Sequence, residues 1–202
     1  MKTSLLRRQS SAIASFLIVW FCGMTSAWMT SARAATPWTT LAPESSSVSF
    51  TYQQMGVQVP GRFRNFSAQV NWDPAAPANA SIAIDIDLNS IDAGSGEADQ
   101  EVVGKTWLNI KGFPTARFVA TQVKSLAPGK FEVTGKLTIK GQTRDIAFPV
   151  TLSETPTQAT FEGALTIRRG DFTIGEGAWS KFDVVANDVI VKFKMVARGR
   201  KS

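Results

Sequence analysis

The sequence predicts an all-β fold: an eight-stranded antiparallel barrel with one short helical insertion near residues 97–110. Three observations carry this expectation. Apolar and polar residues alternate with period two in eight segments, turn chemistry separates the segments, and one stretch alone switches to helical spacing.

The first strand covers 48–52. The second covers 63–72 and shifts phase near Arg64 and Asn65, as a β-bulge does. In 82–88, Ile82, Ile84, Ile86 and Leu88 share one face, while Asp85 and Asp87 face water, so these acids read as a wet strand face. A calcium loop would need Gly where Ser90 stands and Glu where Gly96 stands. After 117–124, the clearest alternation sets Phe131, Val133, Gly135, Leu137 and Ile139 against Glu132, Thr134, Lys136, Thr138 and Lys140. Ile146, Phe148, Val150 and Leu152 continue the pattern. Phe161, Gly163, Leu165 and Ile167 follow, and Val189, Val191, Phe193 and Met195 complete it. Asp73-Pro74, Ala127-Pro128-Gly129, Lys140-Gly141 and Thr155-Pro156 supply turns.

In the insertion, Val103, Trp107 and Ile110 stand at i, i+4 and i+7. Ser95 is placed to cap this helix, and Glu97, Asp99 and Glu101 suit the positive end of its dipole. Gly104 costs about 1 kcal/mol relative to Ala, so the helix depends on docking. Eight antiparallel strands can also form a two-sheet sandwich. Closure favours the barrel, because it removes exposed edges and leaves room for one small ligand.

Residues 1–34 read as an export signal, which assigns 35–202 to one barrel domain in the periplasm. Lys2, Arg7 and Arg8 form a basic start, 12–24 is mostly apolar, and Ala32-Arg33-Ala34 has the small-x-small form of a cleavage site before Ala35. Residues 12–32 carry no charge and are long enough to span a bilayer, but Thr25, Ser26, Thr30 and Ser31 dilute the second half. The formal charge of +6 belongs largely to this segment and to the tail at Arg198, Arg200 and Lys201. A nucleic-acid footprint needs basic residues massed on one folded face, so no nucleic-acid partner is expected. The tail is placed for weak contact with an anionic membrane surface.

The chain contains no histidine and a single cysteine, Cys22, inside the leader. Ser-His-Asp and Cys-His catalysis, imidazole proton transfer and His-ligated metals are therefore excluded. No Gly-x-Ser-x-Gly elbow, phosphate loop or dinucleotide glycine pattern occurs. The expectation is a protein that is not an enzyme and requires no cofactor. A hydrolase using two of the 16 acids as a carboxylate pair stays open as the enzymatic alternative.

Gly61-Arg62-Phe63, Ser90-Ile91-Asp92, Phe113-Pro114-Thr115-Ala116-Arg117-Phe118, Gly135 to Gly141 and Arg169-Gly170-Asp171-Phe172-Thr173-Ile174 together resemble the YceI-like family over 38–197. The resemblance implies an exported, lipocalin-like barrel whose cavity holds a long isoprenoid or similar lipid, with no catalytic residue to carry over. Gln54 and Glu101-Val102 depart from the family pattern, which often has His at the first position and His-Leu at the second. Gly175 to Trp179 is similar to a subgroup associated with membrane b-type cytochromes, which implies such a cytochrome as a partner. The ligand class spans polyisoprenoids, quinone-like lipids, polyprenyl phosphates and fatty amides.

Residues in the apolar strand phase are the candidates for lining the cavity. They are Phe50, Phe63, Ile84, Ile86, Phe118 and Phe131, then Leu137, Phe148, Phe161, Phe172 and Phe193. Trp107 and Leu108 are candidates for a lid. Gln54, Arg62 and Lys105 are candidates for a polar head group, Gln54 through a quinone carbonyl and the cations through a phosphate. The same apolar phases would equally fill a ligand-free core.

Overall fold

The structure, a computed structural model, describes residues 38–73 and 76–199. Residues 1–37, which include the expected export signal, Pro74 of the expected Asp73-Pro74 turn, and residues 200–202 of the basic tail lie outside the described residues. The elements in order are β1 (Trp38–Leu41), β2 (Ser47–Gln54), β3 (Val57–Phe63), β4 (Phe66–Asn71), β5 (Ser81–Asp87) and β6 (Ile91–Asp92). Helix α1 (Gly96–Val102) follows, then β7 (Thr115–Ala127), β8 (Lys130–Ile139), β9 (Gln142–Glu154), β10 (Gln158–Arg168) and β11 (Val185–Gly199).

Every pairing is antiparallel, and the eleven strands form eight staves. Three staves are each broken once. β1 and β2 both pair with β11 and are separated by a 3-10 turn at Pro43–Ser45. β3 and β4 are separated by Arg64 and Asn65, where the sequence pattern changes phase. β5 and β6, their partners, are separated by a 3-10 turn at Leu88–Ser90. From β5 the ladder runs through β7, β8, β9, β10 and β11 to β2, and β2 pairs with β3. The sheet therefore curls back on itself, and a Trp38–Trp72 bridge joins the same two broken staves at the far end. The sandwich alternative does not fit this ladder.

Two expectations change. Residues 57–63 form a strand that Pro60 and Gly61 disguise as a turn. Pro60 is tolerated because β3 meets β6 only at Arg62 and Phe63, so a ladder donor is not needed there. The helix is the second: it ends at Val102 instead of reaching residue 110. Ser95 does cap it, accepting from the Ala98 amide at 3.2 Å. Beyond Val103 the chain winds into turns around Gly104 and Asn109, the latter at φ +49°. Val103 and Trp107 therefore reach the core around Leu88, Ile91 and Phe172 through turns and not along one helical face.

Inward glycines let aromatic rings from neighbouring strands lie flat against the wall. Gly61 opposes Phe50 in register, and Gly163 opposes Phe193. At Gly135 an added Cβ would stand 2.5 Å from the Phe118 ring and 2.5 Å from the Val119 carbonyl oxygen. The carbonyl belongs to a ladder strand and cannot turn aside. Gly135→Ala should therefore lose about 1–3 kcal/mol to overpacking, read as a lower urea midpoint. An unchanged midpoint would show that the wall yields there.

Candidate functional site

The barrel encloses a cavity of about 600 Å³, lined almost wholly by aliphatic and aromatic side chains. At one end Trp72 forms the floor, its ring held edge-on by Phe131 at 4.9 Å and Phe161 at 5.3 Å between centroids. At the other end the lining includes Gln54, Ser95, Glu97, Glu101, Arg169 and Trp179. Ser95, Glu97 and Glu101 are the solvent-exposed members of the lining, so the mouth opens beside α1. Ile84, Leu137 and Phe193 point inward yet keep partial exposure, because the interior around them is unfilled.

Twelve of the thirteen apolar candidates line this cavity: Phe50, Phe63, Ile84, Ile86, Trp107, Leu108, Phe118, Phe131, Leu137, Phe148, Phe161 and Phe193. Phe172 does not. β10 ends at Arg168, and Phe172 sits in the following 3-10 turn, packed in the core behind the mouth. Gln54 lines the mouth. Arg62 and Lys105 do not reach the cavity. Arg62 lies on the outer surface, 3.1 Å from Asp92. The Gly94 amide, with Arg64 and Arg62, holds the Asp92 carboxyl below its usual range. Lys105 is exposed on the insertion. Asp85 is paired with Arg117 at 2.9 Å, and Asp87 accepts from the Asn89 amide at 3.0 Å, so both acids serve the fold.

The residue that organises the mouth escaped the sequence reading. Arg169 is 2 % exposed. Its guanidinium donates to six backbone carbonyls: Ile174, Gly175, Trp179, Lys181, Val185 and Ala186. Its plane also lies against Trp107 and Phe182, at 5.3 and 4.7 Å from their ring centres. It forms no ion pair among the described residues, and burial lowers its pKa from the ordinary arginine value. Arginine remains charged regardless. Five donors in a planar fork satisfy carbonyls that no regular ladder reaches, which lysine cannot reproduce. Its neighbour Arg168 pairs with Asp171 at 2.9 Å on the surface; in the sequence the two differ only in that the family-like motif starts at Arg169.

Glu101 joins the insertion to this loop. Its Oε1 accepts from the Trp179 indole at 2.9 Å and from the Trp107 indole at 3.2 Å, and the two rings meet at 5.4 Å. Lys140 adds a second tie, donating to Thr173 O at 2.6 Å and Glu176 at 2.7 Å. Inside the mouth, the Tyr52 hydroxyl donates to Ala93 O at 2.9 Å. The polar groups left to meet a ligand are the Gln54 amide and the carboxylates of Glu97 and Glu101, because the donors of Arg169 are already engaged. An apolar cavity with a few polar groups at its opening is the form of a small-molecule site.

Fold and site together define a lipocalin-like β-barrel with an internal apolar cavity. The YceI-like domain family model matches residues 39–197, and the chain belongs to this family. It is similar to BcnA of Burkholderia cenocepacia, 39 % identical with a TM-score of 0.75 over 78 % of this chain and 99 % of that one. A polyisoprenoid-binding domain from Saccharophagus degradans, implicated in plant cell wall breakdown, shares the fold. Its TM-score is 0.60 at 17 % identity, over 82 % of this chain and 98 % of that one. A UPF0312 protein of Pseudomonas putida is 33 % identical over 128 residues, 60 % of this chain and 67 % of that protein.

Two expectations follow from the mouth. Arg169→Lys leaves several buried carbonyls unsatisfied at about 1–3 kcal/mol each, so a large fall in the urea midpoint is expected. A variant as stable as the parent would show that water replaces the fork. Tyr52 is the chain's single tyrosine. Burial first, and the Asp99 charge second, raise its pKa above 10.0. The fold therefore favours the neutral phenol: that stability is whole below the unfolded pKa and is lost as pH rises through the folded one. Absorbance at 295 nm should show a folded midpoint above 10.0, and a midpoint at or below it would contradict this burial.

Proposed function

We propose that the protein is a periplasmic binding or carrier protein for a long apolar lipid, a polyisoprenoid or quinone-like chain, held inside the barrel. The apolar cavity of about 600 Å³, closed by Trp72 and open beside α1, is the observation that carries this reading. Its size lies within the range of small-molecule sites, and burial of an apolar chain gains about 25 cal/mol per Å². The polyisoprenoid-binding domain of the same fold supports the ligand class. At the mouth, Gln54, Glu97 and Glu101 suit a neutral head with hydroxyl or amide donors better than a phosphate, since Arg62 and Lys105 stand outside. Export rests on the basic start, apolar run and Ala32-Arg33-Ala34 of the leader.

Native mass spectrometry of protein purified from the periplasm tests both parts at once. The expected species begins near Ala35 and carries a solvent-extractable lipid. Ile84→Trp fills space from the middle of the cavity wall, so it should keep the fold and lower lipid occupancy. In a packed core the same change costs about 1–3 kcal/mol. A wild type that never yields lipid, together with an Ile84→Trp variant that melts early, would show that the interior is filled by its own side chains.

A further inference from the structure

The blind end of the cavity is closed by a single layer of rings. Trp72 and Phe131 are the side chains common to the cavity and to a second pocket, of about 250 Å³, that lies behind the floor. Pro128 of the β7–β8 turn, Leu152 and the polar side chains of Ser125 and Glu154 line that second pocket and not the cavity. Of the two shared rings, Trp72 is the more deeply buried, at 1 % exposure.

The fold fixes this side chain without using it as an indole. Trp72 stands one residue beyond the last β4–β5 pair, Asn71 with Ser81. Its backbone is held instead by exchange with Trp38, at 3.0 and 3.3 Å. Phe131 and Phe161 brace its ring edge-on. Its Nε1 is buried and bonds to nothing among the described residues. Trp38 shows the contrast, since its indole donates to Glu154 at 2.8 Å. A buried donor left unpaired costs free energy that an apolar side chain at the same place would not. What an indole offers at position 72 beyond a smaller apolar residue is therefore bulk. A local rule broken for bulk, at the end of a binding cavity, points to function.

We propose that Trp72 sets how long a chain the cavity accepts. Units of an apolar chain enter from the mouth and gain burial until the leading one meets the indole. Further units stay outside the mouth and gain nothing. The space behind the floor opens to the chain only when a smaller residue replaces the indole. The ligand class is a linear apolar chain, so the inference rests on the lipid-binding reading above and adds to it a specificity-determining residue.

Displacement of Nile red from the delipidated mature protein by geraniol, farnesol, geranylgeraniol, geranylfarnesol and solanesol tests the proposal. In the wild type, affinity should rise about tenfold or more with each added isoprene unit and then level off. In Trp72→Leu and Trp72→Ala the rise should continue for at least one unit further, while geraniol binds much as before. Adding Leu152→Trp to Trp72→Ala refills the space from behind and should restore the wild-type levelling point. Trp72→Phe keeps a ring across the axis and should level where the wild type does. If Trp72→Ala fails to fold, Trp72→Leu, which keeps an apolar floor, carries the comparison. One levelling point shared by the wild type and the two smaller residues would overturn the proposal and leave the lipid-binding reading standing. A loss of affinity in Trp72→Phe that is equal at every chain length would overturn it too, because the N–H would then be a donor to the ligand. If no alcohol displaces the dye from the wild type, the lipid-binding reading fails and this inference falls with it.

Discussion

The open end of the barrel depends on one buried cation. Arg169 gathers carbonyls from Ile174 to Ala186, a stretch that crosses the mouth between β10 and β11. Without that fork these carbonyls would need water or a ladder of their own, and the loop would not stay folded over the opening. The loop in turn delivers Trp179 to Glu101, which fixes the insertion, and Val184 to Met55, which fixes the β2–β3 turn. The mouth, the insertion and the β2–β3 turn are thus three outcomes of one network, and each is as well placed as Arg169 is.

The interior follows from a different constraint. Eight staves make a ring wider than side chains from its wall can fill when several inward positions are glycine. Gly61, Gly135 and Gly163 give space to rings that lie along the wall, which leaves the axis empty while the wall itself packs tightly. The floor is made differently. Trp72 and its flanking phenylalanines stand across the axis and seal it. Its indole nitrogen is buried and makes no hydrogen bond among the described residues.

How much of this was legible follows from the kind of signal each part leaves. Period-two alternation reports which residues face inward, so the wall of the cavity from Phe50 to Phe193 was readable, as was the break at Arg64 and Asn65. Alternation does not report where a strand ends, and Phe172 was drawn into the wall by a phase that had already stopped at Arg168. Short strands such as β1 and β6 are too brief to show a period. At the mouth the useful signals were single residues, and a charged residue looks the same in sequence whether it is solvated or buried. Arg62, Lys105 and Arg169 are all cations near strand or turn ends, and only packing distinguishes the two outside from the one within. Gln54 and Glu101 stood out because they depart from the family pattern, and both line the opening.

The three interrupted staves are neighbours in the ring, whereas β7 to β11 run unbroken for 10 to 15 residues each. Each interruption removes ladder bonds, so local opening is easier on that side than on the other. The wall is therefore stiff over five staves and compliant over three, with the compliant arc adjoining α1. A guest of greater girth would be accommodated by spreading that arc against a fixed backrest. One sequence could in this way house chains of differing thickness without repacking its rigid half.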